Sequence, residues 1–161
     1  MTSAAGKPVE IYLNDHLAGA DAALELLDDM RGRNLDGGLI EAVERLYGEI
    51  AEDRDQLELL ISRLGVDRER VKQALAELGE SLSRAKLARR GSRQQISLLL
   101  DLETLSVGIW GKTRLWRGLA AAGIGEDELD FTLEELEQRG LRQLETVEEH
   151  RGPIAARALR D

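Results

Sequence analysis

The chain has 161 residues, with 22 Lys and Arg against 31 Asp and Glu, giving a formal net charge of −9 and a pI near 4.9. That acidity argues against a nucleic-acid partner, because phosphate contacts need clustered cations. Apolar residues at 42% and charged residues at 33% fit one folded domain and not a disordered tail, and the lack of Cys excludes disulfides, thiolate metal sites and cysteine nucleophiles.

The opening MTSAAGKP carries one Lys and no apolar run, so neither a signal peptide nor a membrane span is expected, and a cytoplasmic location is the default. Residues 1–8 are expected to form a flexible arm, 9–151 a bundle domain and 152–161 a tail. The first helix is predicted from Val9 to Met30. Leu13, Leu17, Ala20, Leu24 and Leu27 form its apolar face, Asn14, Asp21, Glu25 and Asp28 its solvated side, and Tyr12, His16, Gly19 and Ala23 adjoin the apolar face. Residues 31–38 read as a loop tolerant of positive φ.

The second helix is predicted from Leu39 to Leu64, stopping at Gly65. Its stripe of Leu39, Val43, Leu46, Ile50, Leu57, Leu60 and Leu64 is interrupted only by Asp53, which is therefore expected in the core. Asp67 is a candidate cap for the third helix, whose apolar positions are Val71, Leu75, Leu78, Leu82 and Ala85 and which should end at Arg89-Arg90-Gly91. The basic patch of Arg84, Lys86, Arg89, Arg90 and Arg93 around that end reads as a solvated helix terminus.

Ser92 and Gln95 have capping-box spacing, so the fourth helix should run from there to Ala122, broken by Gly123-Ile124-Gly125. It carries two apolar stripes: Leu98, Leu102, Leu105, Ile109 and Trp116 with Lys112 among them, and Ile96, Leu99, Leu100, Val107 and Trp110 with Glu103 and Arg114. A helix apolar on two sides is central in its fold or sits at a subunit interface. The fifth is predicted from Glu126 to Arg151, with Leu129, Leu133, Leu136, Gly140, Leu144, Val147 and Ile154 inward, Gln143 and His150 flanking, and Gly152-Pro153 as the break. No strand pattern appears. Long helices joined by short loops run antiparallel, so the expected fold is all-α, an antiparallel four-helix bundle with an additional helix, five in all.

Buried charges must pair or shift their pKa. Axial heights at 1.5 Å per residue suggest a lower cluster of Asp53, Lys112 and His16 and an upper one of Glu103, Gln143 and His150. Inward carboxylates and histidines on long helices also suggest di-metal chemistry with Fe or Mn, for which Asp53, Glu103, His16 and Glu49 are the candidate ligands. Against it, the chain has no Glu-x-x-His, and its two histidines fall far apart along the axis. An Asp53–Lys112 ion pair that fixes register, with His16 a core histidine, is the simpler account. No phosphate loop, nucleophile elbow, zincin or calcium-loop motif occurs. Trp110 and Trp116 read as core or interface anchors, and a small-ligand site beside Tyr12, His16, Trp110 and Lys112 would require a pocket next to His16.

Three strings are distinctive: Leu13-Asn14-Asp15-His16-Leu17-Ala18-Gly19-Ala20, Glu49-Ile50-Ala51-Glu52-Asp53-Arg54, and Leu102-Glu103-Thr104-Leu105-Ser106-Val107-Gly108 leading to Gly111-Lys112 and Leu115-Trp116. With them the chain resembles an uncharacterised family of bacterial proteins that is similar to ferritin-like bundles. The resemblance implies that helices one, two, four and five take the bundle roles and helix three the crossover; it brings no activity and no metal ligands. The expectation is a non-catalytic ferritin-like bundle acting as an interaction or structural module without a cofactor. It would form a homodimer through helix four or bind another protein partner; a metal-binding or redox bundle is the alternative.

Overall fold

A computed structural model of the chain describes residues 6–88 and 94–160. Among these residues there are five helices and no strand: α1 (Lys7–Arg31), α2 (Gly37–Arg63), α3 (Glu69–Ala88), α4 (Gln94–Ala122) and α5 (Leu133–Ala158). The all-α expectation holds. Residues 1–5 of the expected arm, the Arg89-Arg90-Gly91 stop, Arg93 of the basic patch and the Ser92 cap lie outside the described residues.

Local chemistry sets the boundaries. α1 begins at Lys7, with Pro8 in its first turn, where a missing N–H costs no hydrogen bond. The loop expected over 31–38 is shorter: Asp36 caps α2 by accepting from the Leu39 N–H at 2.9 Å, so Gly37 and Gly38 form the first helical turn. The positive φ values that turn helices off fall elsewhere. At Gly65 (φ 64°) the Gly65 N–H bonds Ser62 and the Val66 N–H bonds Ile61; at Gly123 (φ 65°) the corresponding bonds run to Ala120 and Leu119. Both are Schellman closures, with Val66 and Ile124 packed on the core.

α5 departs most from expectation. It starts at Leu133, capped by a reciprocal Thr132–Glu135 box, and continues through Pro153 to Ala158. The segment from Gly123 to Phe131 is a loop, docked by Gln56 of α2, which accepts from the Asp130 N–H at 2.9 Å and donates to its carboxylate at 3.0 Å. Most of the expected 152–161 tail is thus helix.

Two apolar clusters fill the interior. One joins Leu27 and Met30 of α1, Leu39 to Ile50 of α2, Leu98 to Ile109 of α4, and Val147 and Ile154 of α5. The other joins Leu13 and Leu17, Leu57 to Ile61, Leu115 to Leu119, and Leu133 and Leu136. α4 packs most extensively on α5 and α1 on α2; α1 also touches α3 and α4, and α2 touches α5. α4 and α5 come closest at Gly140, where a Cβ would lie 2.6 Å from Thr113 Cγ2. No helix among the described residues is long and apolar enough to cross a membrane.

Candidate functional site

The polar residues of interest stand at one level, between the two apolar clusters. Asp53 lies ten residues before the end of α2, Lys112 ten before the end of α4, and Gln143 ten after the start of α5. At 1.5 Å per residue each is about 15 Å from the helix end that contributes to the second cluster. His16, nine residues into α1, is level with them.

Asp53 is 1% exposed, as its place in the apolar stripe of α2 predicts. Its Oδ2 accepts from Lys112 Nζ and, at 3.2 Å, from Gln143 Nε2. Lys112 Nζ also donates to Gln143 Oε1, and Gln143 Nε2 reaches Glu49 at 3.1 Å. Asp53 Oδ1 lies 2.9 Å from Arg139 Nε, close enough to neutralise its charge, yet it accepts no hydrogen bond. Arg139 is held in turn by Glu52 and stacks over Phe131, its guanidinium carbon 4.9 Å from the ring centre. The sequence reading missed Arg139. Its spacing three after Leu136 and four before Gln143 puts it on the inward face and was the available signal. Burial pulls the Lys112 ammonium below its ordinary pKa, and the attraction of Asp53 only partly offsets this.

Of the expected lower cluster, Asp53 and Lys112 pair and take in Gln143, while His16 shares only a pocket wall with them. The upper cluster does not form. Glu103 faces solvent, its side chain 47% exposed, and pairs with Arg151 at 3.4 Å. His150 is half-buried beside Gly38 of α2. The buried acid at that end of the molecule is Asp101, 3% exposed, which accepts from Arg33 at 2.7 Å while Arg33 also bonds Asp29. Asp101 sits three after Leu98 and four before Leu105, a core position that the two-stripe reading of the helix passed over. Asn14, expected on the solvated side, is fully buried and donates to the Asp67 carbonyl at 2.7 Å. That bond ties the α2–α3 connection to α1.

His16 is half-buried, with the Tyr12 ring edge-on at 4.7 Å. Burial lowers its pKa, and the nearby Asp15 carboxylate counters only part of that. Beside it lies a pocket of about 490 Å³, mouth included, walled by α1, α2 and α4. Asp53 and Lys112 line it, as do Gly19 and Ala20 of α1 and Gly108 and Trp116 of α4. Trp116 is 1% exposed and its indole N–H has no acceptor. Trp110, the other tryptophan of α4, points outward at 49% exposure under the Arg114 guanidinium.

Of the four candidate metal ligands, Glu49 and Asp53 share the Gln143 amide and His16 lines the same pocket as Asp53, while Glu103 stands apart. Among the described residues no three His, Asp or Glu side chains converge as a metal site would require. Glu103 lies nineteen residues from the end of α4 where Lys112 lies ten, a separation of about 13 Å along the axis. Comparison with protein-family models, curated proteins and solved structures gives no match to this chain.

Proposed function

We propose that this protein is a non-catalytic helical-bundle module of ferritin-like helix order, with an interaction or structural role, whose polar core is an ion-pair network that fixes helix register. The carrying observation is that Asp53, the deepest carboxylate at the level of the pocket, is engaged by Lys112, Arg139 and Gln143. Two cations and an amide already satisfy its charge, and a divalent ion would have to displace them. The make-up of the two apolar clusters supports the helix order. The end of α1 meets the start of α2, the start of α4 and the end of α5, so α1 and α5 run one way and α2 and α4 the other. α3 then links the far end of α2 to the near end of α4 as a crossover along α1. The resemblance to ferritin-like bacterial proteins belongs to this proposal and rests on the three sequence strings.

Elemental analysis of the purified chain, before and after incubation with Fe(II), Mn(II) and Zn(II) and desalting, tests the reading. It predicts sub-stoichiometric metal throughout, with Asp53→Asn costing about 3–5 kcal/mol because it leaves the buried Lys112 ammonium without its counter-ion. Lys112→Met should cost less than half of that, since Arg139 and Gln143 still hold Asp53. Near-stoichiometric metal that disappears in Asp53→Asn would replace this reading with the metal-binding one.

The partner in this proposal is a second copy of the chain. Val107 and Trp110, one helical step apart on α4, are 74% and 49% exposed, apolar area that a partner surface would cover. Sedimentation across a dilution series should give a dimer that Trp110→Lys converts to monomer; a wild-type monomer at all concentrations refutes the dimer.

A further inference from the structure

The pocket between α1, α2 and α4 has an unfilled chemistry that the ion-pair network does not use. Its walls are mainly aliphatic side chains and the Trp116 ring, the apolar lining usual of small-molecule sites. One buried polar atom on its lining residues has neither a hydrogen-bond nor an ion-pair partner, the indole N–H of Trp116. A buried polar atom left unpaired is costly, so native structures rarely keep one without a partner. The charged groups on the lining are already matched: Asp53 by Lys112 and Arg139, and Arg54 by Asp21 and Glu58. A ligand bearing a full charge would enter an apolar space without a counter-ion. What is missing is one acceptor on an apolar body.

The way in is also built. Gly19 on α1 and Gly108 on α4 both line the pocket, both are exposed, and a Cβ at either would meet nothing within 4 Å. Counting from the helix ends, twelve residues on α1 and fourteen on α4 place them within about 3 Å of the same level. Each glycine interrupts a helix at a cost of about 1 kcal/mol relative to Ala. No packing contact requires either of them, whereas Gly118 leaves room for the Tyr12 hydroxyl and Gly140 for Thr113.

We propose that this pocket binds a small neutral molecule with an apolar body and a single hydroxyl or carboxamide head, whose oxygen accepts from Trp116 Nε1. The inference does not depend on the interaction-module reading, because a pocket of this chemistry is compatible with any partner. His16 forms part of the same wall and, with its pKa lowered by burial, adds no charge at neutral pH.

The test uses the full chain, isotope-labelled, with octanamide as the probe. The two indole N–H resonances are assigned by Trp116→Phe. Octanamide should move the Trp116 indole proton downfield in a saturable titration, with a Kd below about 1 mM for a probe of about ten non-hydrogen atoms. Octanoate and octylamine should each bind at least about tenfold more weakly. Gly108→Leu, which fills open space and improves helix propensity, should weaken octanamide by about tenfold or more while leaving the thermal midpoint unchanged or higher. Gly19→Leu should do the same from the opposite helix. No saturable shift up to the solubility limit of octanamide overturns the proposal, and so does undiminished binding by both glycine variants. Tighter binding of either charged probe refutes the neutral head group.

Discussion

At the scale of single residues, the polar level of this molecule is a matter of counting. Asp53 was legible in the sequence because a charged residue replaced an apolar one in an otherwise regular stripe. Lys112 was legible for the same reason on α4. Gln143 was placed too high because α5 was counted from Glu126 when it starts at Leu133, and seven residues at 1.5 Å each displace a side chain by about 10 Å. Arg139 and Asp101 sat at inward spacings and were overlooked because long cations and acids on helices are usually solvated. His16 gives this scale its prediction. Its folded-state pKa is lowered by burial, so the unfolded chain binds the proton more readily near the ordinary value of 6.5. The stability linked to His16 is therefore fully present above that value and is lost as pH falls through the folded-state pKa. Urea midpoints should drop between about pH 7 and pH 5.5, above the range where most carboxylates titrate, and His16→Gln should flatten that part of the curve. An unchanged slope in the variant would place the proton elsewhere.

At the scale of the element, hydrophobic period found all five helices but could not find where α5 begins. Leu129, Leu133 and Leu136 keep a three-four spacing straight across the loop–helix boundary, so the period carries no mark of the break. The mark lay in the capping chemistry: Thr132 and Glu135 have the Thr-x-x-Glu pattern, and each bonds the other's backbone N–H. Pro153 misled in the other direction, since it sits within the helix. The contact between α4 and α5 was invisible to sequence, because a single glycine inside a helical pattern does not say what approaches it. Thr113 does: it is fully buried, its hydroxyl is turned back to the Trp110 carbonyl at 2.7 Å, and its methyl is left against Gly140. Gly140→Ala should destabilise by about 1–3 kcal/mol through overpacking, despite the roughly 1 kcal/mol that Ala gains in propensity. Thr113→Ser keeps the hydroxyl and removes the methyl, so the double variant should regain most of the loss. A thermal melt in which the two substitutions simply add would deny the contact.

At the scale of the whole molecule, the five helices are unequal partners. α1, α2, α4 and α5 each contribute to both apolar clusters, and the ionic level at Asp53 draws three of them together across the middle. Among the described residues, α3 contributes to neither cluster, packs on α1 and has no fully buried side chain. Its described apolar residues rest on the surface of the others: Leu75 is half-buried and Leu78 is 37% exposed. A helix whose described residues rest on one neighbour and bury little area gains little beyond its own propensity. It can open without disturbing the clusters that hold the other four. Native-state hydrogen exchange should therefore divide the amides into two groups. Those of α3 should exchange through local opening at a free energy well below the global value, with little dependence on Asp53. The central turns of α1, α2, α4 and α5 should exchange only with global unfolding and lose protection together in Asp53→Asn. If the amides of α3 proved as protected as those of α4, α3 would have to be counted part of the same cooperative unit.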